Sequence, residues 1–365
     1  MNRYVVDTQA IVHNLAQIRR AAGGANIYAV LKGDAYGLGL LEMAQLLSEN
    51  GVDRFAVTQT SEAEALRRGG FAREEILFLR STSDRQELET LVDLGVVCTA
   101  GSEDAAMAIR AAAEARKTAA NVHIEIDTGM GRTGFLPGDI EKIKSVYDLG
   151  PEVIVTGIYT HFHSAFCNKK ATRSQYDLFM SVVKALQDDR FETGTVHAAN
   201  SSALFRAPYA AADAVRVGSA LLGRLSFRSR GNCGLLRVGH IETAIDSVRW
   251  LSAGSTIGYG AGCRLKKAAR VAIVPVGYYH GFNVSQDQDL FRFRDGISGI
   301  MSHVRNIVLG RHLSVRIGGK EARVLGHVGM MHTAIDVTKL DCGVGSKVVM
   351  DAKPTMIKGL QLEYR

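Results

Sequence analysis

The chain has 365 residues, 46% hydrophobic, 22% charged and 7% aromatic, with only 5 prolines, which excludes extensive disorder and suggests one large domain plus a smaller one. Its 38 glycines follow no period and no apolar run approaches the roughly 20 residues that span a bilayer, so neither a collagen-like chain nor a membrane partner is expected. Lys plus Arg 44 against Asp plus Glu 37 leaves +7, dispersed in short clusters such as Arg67-Arg68 and Lys266-Lys267, so no nucleic-acid partner is expected either.

The start, MNRYVVDTQAIVHNL, lacks the apolar core of a secretory signal and predicts a cytoplasmic protein. The first helix begins at Asp7-Thr8 and aligns Ile11, Leu15 and Ile18 on one face. Strand-like runs then recur at 26–32, 54–59, 75–80, 96–100, 121–126, 153–161, 194–199 and 214–218, separated by helical stretches such as LLEMAQLLSENG and SEDAAMAIRAAAEARK. Eight strands alternating with helices predict a (β/α)8 TIM barrel; an open doubly wound sheet is the alternative, and the strand count favours closure. Beyond about Gly223 the segments are short, alternating and turn-bounded, as in an antiparallel β domain. The expected division is a barrel over 8–228 and a β domain over 229–365, joined by a strand within 1–7. Cys98, Cys167, Cys233, Cys263 and Cys342 are widely separated and form no CxxC pair, so neither a disulfide framework nor a metal site is expected.

Reactive groups of such a barrel sit at the C-terminal ends of its strands. Those ends carry Lys32 in AVLKGDAYG, Arg132 in IDTGMGR, His161 in YTHF, then HAANSS, and Arg216 in VRVG. A lysine there is a candidate Schiff-base amine, because partial desolvation helps an ammonium lose its proton. From position alone, a solvated strand-end lysine is the better reading.

The combination alters that balance. AVLKGDAYG, IDTGMGRTGF, YTHF, HAANSS, VRVG, STIGYGAG and VPVGYYHGF occur in the order and spacing of the alanine racemase family, and the chain resembles it over nearly its whole length. The resemblance implies pyridoxal 5'-phosphate as cofactor, a small amino-acid substrate, a barrel followed by a β domain, and a homodimer with shared active sites. Lys32 would hold the cofactor and act as one proton-transfer base. Tyr259, in TIGYG, matches the second base, supplied by the other subunit; taken alone it would be an ordinary β-domain tyrosine. Racemisation needs such a pair, since one group removes the Cα proton from one face and another returns a proton to the opposite face. By the same resemblance Arg216 faces the pyridine nitrogen, Arg132 the substrate carboxylate, and Tyr36, Ser201, Gly218 and Ser219 the phosphate. His161 and Asn200 fall in the cofactor's surroundings, and Tyr278 and Met330 on the substrate side.

Four departures from the family pattern stand out. Glu125 occupies a position where the family often carries a carbamylated lysine, and is expected to supply a permanent carboxylate that orients Arg132; a solvent-facing strand glutamate is the alternative. Leu38 replaces a usual histidine, while His280 and Met331 replace usual aspartates. The C-terminus is short and lacks a tyrosine that narrows the pocket in relatives, so the pocket is expected to admit serine or larger side chains, with an insertion near 283–318 filling the space. Two competing readings are amino-acid decarboxylation on the same fold and a non-catalytic cofactor carrier. Arg216 weighs against the first, and the C-terminal residues containing TIGYG against the second. A metal-dependent aldolase would need a ligand set that His161, His163, His197 and His327 do not suggest.

Overall fold

The computed structural model of the protein describes residues 2–227, 233–285, 301 and 312–365. The expected boundary at 228/229 and most of the 283–318 insertion lie outside those residues. The chain divides into two compact units, Thr8–Val238 and Met1–Asp7 with Gly239–Arg365.

In the first unit, parallel strands β2 (Asn26–Val30), β3 (Arg54–Val57), β4 (Glu75–Ser81), β5 (Val97–Ala100), β6 (Ala120–Ile126), β7 (Val153–Thr160), β8 (Thr195–Asn200) and β9 (Ala214–Val217) form a closed barrel. Closure is direct, because β2 pairs with both β3 and β9, and the open-sheet alternative is thereby excluded. Around it run α1 (Thr8–Ala22), a single turn α2 (Lys32–Gly37), α3 (Leu40–Glu49), α4 (Thr60–Arg68), α5 (Arg85–Asp93), α6 (Glu103–Arg116), α7 (Ile140–Ser145), α8 (Lys169–Asp188) and α9 (Ser201–Arg206). Side-chain caps fix several of their starts: Asp84 accepts from the Glu87 N–H, Ser102 from Ala105, and Asn168 from Ala171. The strand period of two sorts side chains between the barrel interior and the helices. Tyr28 and Val30 of β2 cluster with Ala56, Leu77, Val97 and Ala214.

Helix α1 buries the stripe expected from its spacing, Ile11, Leu15 and Ile18, and Asn14 lies buried on the same face. Its amide donates to the carbonyls of Leu221 (2.9 Å) and Leu236 (2.7 Å) and accepts from the Leu236 N–H (2.7 Å). One polar side chain thus satisfies three backbone groups of the segment that follows β9.

The second unit contains a nine-stranded sheet made of β1 (Arg3–Val6), β10 (His240–Ala244), β11 (Ser247–Leu251), β14 (Ala269–Val274), β15 (Ser314–Ile317), β16 (Lys320–Leu325), β17 (Thr333–Asp336), β18 (Lys347–Met350) and β19 (Gln361–Tyr364). A separate two-stranded ribbon joins β12 (Thr256–Ile257) to β13 (Cys263–Arg264). The pairings are antiparallel except that β1 lies parallel to β19, while its other edge meets β10. Glu242 is nearly buried among Arg3, His240, Lys347 and Arg365, and although burial opposes it, the donors of Lys347 and His240 hold its carboxyl down at about 2. No helix among the described residues is long and apolar enough to cross a membrane.

Replacing Asn14 by alanine removes the partner of one buried backbone group at Leu221 and two half-buried ones at Leu236, and is expected to destabilise the chain by about 2 kcal/mol. Denaturant unfolding monitored by circular dichroism checks this.

Candidate active site

A cavity of about 300 Å³ opens at the C-terminal ends of the barrel strands. It gathers Lys32 and Tyr36 from the turn after β2, Arg132 from the loop after β6, and His161 just beyond β7. Asn200 and Ser201 come from the β8–α9 junction, and Arg216, Gly218 and Ser219 from β9 and the residues after it.

Lys32 opens a backbone segment of unusual hand. Gly33, Asp34, Ala35 and Tyr36 have φ of 65°, 54°, 51° and 60°, so four successive residues are left-handed and three of them bear a Cβ. Each such L residue costs about 1–2 kcal/mol. The turn therefore holds its shape against local preference, and both ends of it, Lys32 and Tyr36, face the cavity. Burial, followed by the nearby charge of Arg132, lowers the lysine pKa, with Glu62 opposing the change.

Arg216 is buried inside the barrel. It donates to His197 Nδ1 (2.8 Å), to the His197 carbonyl (3.0 Å) and to the Thr160 carbonyl (2.7 Å), and its guanidinium lies 4.8 Å from the centre of the Tyr159 ring. A guanidinium only donates, so His197 Nδ1 must be the acceptor and its Nε2 carries the proton. That Nε2 lies 2.9 Å from Nδ1 of His123, which in turn accepts. The tautomers of two buried histidines are set in sequence by one cation. Burial first and Arg216 second push His123 and His161 down to about 3 and His197 well below its ordinary value, so all three are neutral near pH 7.

The Arg132 loop is built by its own aspartate. Asp127 accepts from the N–H groups of Gly129, Gly131 and Arg132, and although burial opposes it, these bonds pull its carboxyl below the usual range. The loop then returns to β6, where Phe135 N donates to the Glu125 carbonyl at 2.8 Å. Glu125 is 2% exposed, so the solvent-facing alternative does not hold. Its carboxylate accepts from Thr133 Oγ1 (2.7 Å) and lies 3.4 Å from Arg132 Nη2. Burial raises its pKa against the pull of Thr133 and Arg132.

On the same cavity, Ser201 Oγ accepts from the N–H groups of Gly218 (3.1 Å) and Ala220 (3.2 Å). A Cβ at residue 218 would lie 2.2 Å from the Tyr36 hydroxyl, so only glycine lets the phenol approach this backbone. Burial pushes Tyr36 up to about 12, which keeps it a proton donor. Asn200 caps α9 through the N–H groups of Ser202 and Ala203.

Tyr259, Tyr278 and Met330 belong to the other unit and lie on its surface, with Tyr259 75% exposed. Tyr278 N donates to the Gly329 carbonyl and Tyr279 N to that of Met330, so two loops meet backbone to backbone. Gly277 permits this, since a Cβ there would fall 2.0 Å from the Gly329 oxygen. His280 is buried behind that turn and accepts from the Gly277 N–H through Nδ1. Met331 is exposed and Leu38 is buried.

The cavity also takes in Thr58, Tyr159, His163, Phe166, Ser202 and Ser226, to which the family resemblance assigned no role. Parity could have found Tyr159, two residues before His161 on one strand, and likewise His123, two before Glu125. Among the described residues no group of three or more His, Cys, Asp or Glu side chains could hold a metal ion.

Two family models match the chain: "Alanine racemase, N-terminal domain" over residues 6–226 and "Alanine racemase, C-terminal domain" over 238–359. An alanine racemase of Clostridium tetani is 32% identical over 359 residues, covering 97% of this chain and 86% of that relative. The solved alanine racemase of Clostridium difficile 630 superposes with a TM-score of 0.84 at 24% identity, covering 100% of this chain and 95% of the other. A Bartonella henselae alanine racemase with covalently bound pyridoxal phosphate gives 0.81 at 20% identity, with coverage of 100% and 99%.

Proposed function

The chain belongs to the alanine racemase family, and from that premise we propose that it interconverts L- and D-alanine with Lys32 and Tyr259 as the two proton carriers. The cofactor is pyridoxal 5'-phosphate. The observation that carries the reading is the convergence of the Lys32 amine, the Tyr36 and Ser201 hydroxyls and the Arg132 and Arg216 guanidinium groups on one cavity at the barrel mouth.

The residues fit that cofactor. Tyr36 and Ser201 offer hydroxyls, the glycine at 218 puts no side chain into the site, and all line the same cavity as Arg132. Ser219 completes the phosphate end, Arg216 would face the ring nitrogen, and Asn200 and His161 would flank the ring. When bound, the cofactor acidifies the Cα–H of an amino acid by conjugation.

This chain's side chains do the rest. Lys32, with its proton loosened by burial and by Arg132, can take a proton at one face of the Cα. The Tyr259 phenol would act at the other face, from a second copy of the chain. Burial lowers the Arg216 pKa to about 10, so it stays protonated at neutral pH and would offer no proton acceptor to the ring nitrogen. Arg132 presents its forked donors to the substrate carboxylate, steadied by the Glu125 carboxylate. Tyr278 and Met330 would stand on the substrate side. Decarboxylation on this fold is not favoured, since a guanidinium rather than a carboxylate occupies position 216. The site of action is the cytoplasm, where a D-amino acid would serve as a precursor of cell-wall peptide.

Three outcomes are expected. Lys32→Ala and Tyr259→Phe are each inactive alone, but equal mixtures after subunit exchange recover about a quarter of native activity, since half the dimers carry one intact site. Chiral chromatography of L-alanine incubations checks this, and failure of the mixture to recover activity contradicts shared sites. Glu125→Gln and Glu125→Lys are expected to raise KM for alanine about tenfold through a less ordered Arg132; native kinetics in both would remove Glu125 from the mechanism. In a substrate panel, kcat/KM for serine should fall within about tenfold of that for alanine, because a pocket without the narrowing tyrosine has no contact with which to reject one added hydroxyl. A sharp preference against serine would contradict the open pocket.

A further inference from the structure

We infer that Glu62 is a positioning residue for Lys32: its buried carboxylate clamps the left-handed turn that carries the lysine, in a way that an amide cannot reproduce. The inference rests on the proposed role of Lys32 as a proton carrier. Glu62 is the third residue of α4 and is only 6% exposed. Its Oε2 accepts from the N–H groups of Thr58 and Gln59, both at 3.1 Å, as a capping residue at that position does.

A cap needs only that oxygen. The other, Oε1, crosses to the neighbouring loop and accepts from Gly33 N at 2.6 Å and Asp34 N at 3.3 Å. These are the first two N–H groups of the left-handed turn, and donors that open a turn have no carbonyl of their own turn to bond. The turn is strained in three residues that carry a Cβ, and the carboxylate supplies what holds it. Lys32 and Tyr36 bracket that turn, so one side chain registers both the amine and a phenol of the cradle. Glu62 also opposes the lowering of the lysine's pKa by burial and by Arg132.

Four N–H donors on two oxygens require an acceptor at both positions. Glutamine keeps the cap, because a capping box takes Glu or Gln, but it points an NH₂ at the second pair of donors. Aspartate keeps the charge and is one methylene too short to reach both loops.

The experiment uses the holoenzyme of Glu62→Gln and Glu62→Asp. It measures kcat and KM for L-alanine, the melting temperature, and the rate at which hydroxylamine removes the visible absorbance of the bound cofactor. In the glutamine variant kcat should fall by about tenfold to a hundredfold with KM within about twofold, and hydroxylamine should strip the cofactor about tenfold faster. Adding Ala35→Gly, which removes one strained side chain from the turn, should recover part of both losses. If the glutamine variant does not fold, the aspartate variant carries the same readouts. Native kcat, or a lower kcat without faster stripping, would reduce Glu62 to a helix cap and overturn the inference. Failure of the native chain to racemise alanine would instead sink the underlying reading and leave the clamp geometry untouched.

Discussion

The chemistry of the barrel mouth depends on one buried cation. A guanidinium that cannot shed its proton near pH 7 must be surrounded by acceptors, and Arg216 finds them in two carbonyls and one imidazole nitrogen. From that requirement follow the tautomer of His197 and the acceptor role of His123, while burial first and the Arg216 charge second keep His123, His161 and His197 neutral. Tyr159 and Tyr28 stack against the same imidazole of His197, so the polar chain is packed inside aromatic walls and has little freedom to rearrange. A rigid positive charge held in low dielectric acts at full strength on whatever lies beside it.

The loops around this cation are each shaped by a local polar group that accepts backbone N–H donors. Asp127 does this for the Arg132 loop, Asn200 for the start of α9, Ser201 for the residues after β9, and Glu62 for the turn of Lys32. Loops at the mouth of a barrel would otherwise expose unpaired donors to a partly buried cavity. The same accepting groups that satisfy the backbone also decide where the reactive side chains point. Fold stability and site geometry are thus coupled in single residues.

The two proton carriers of the proposed mechanism occupy different compact units. Lys32 lines the cavity at the barrel mouth, where partial desolvation lowers its pKa. The exposed Tyr259 sits on a short turn flanked by glycines, where a second molecule can bury it. Tyr259, Tyr278 and Met330 are all exposed on one unit, and exposed aromatic and methionine side chains are the composition of an interface core.

Much of this was legible in the chain itself. Eight β-branched runs separated by amphipathic stretches specify a closed parallel barrel, because each run is too apolar to face water and each helix has a single apolar stripe. The residues at the strand ends, Lys32, Arg132, His161, Asn200 and Arg216, could be read in order for the same reason. Short-range sequence rules did not reveal the left-handed hand of Gly33 to Tyr36, the reach of Glu62 across two loops, or the His123–His197 pair spanning β6 and β8. They left open whether Glu125 turns toward Arg132 or toward solvent. Those features depend on contacts between residues distant along the chain, and the energy that selects them exists only once the barrel closes and removes water from its interior. The sequence by itself determined which groups were available and on which strand they sat. The tertiary structure decided their protonation, their tautomers and their strain, since each depends on which neighbours replace the solvent.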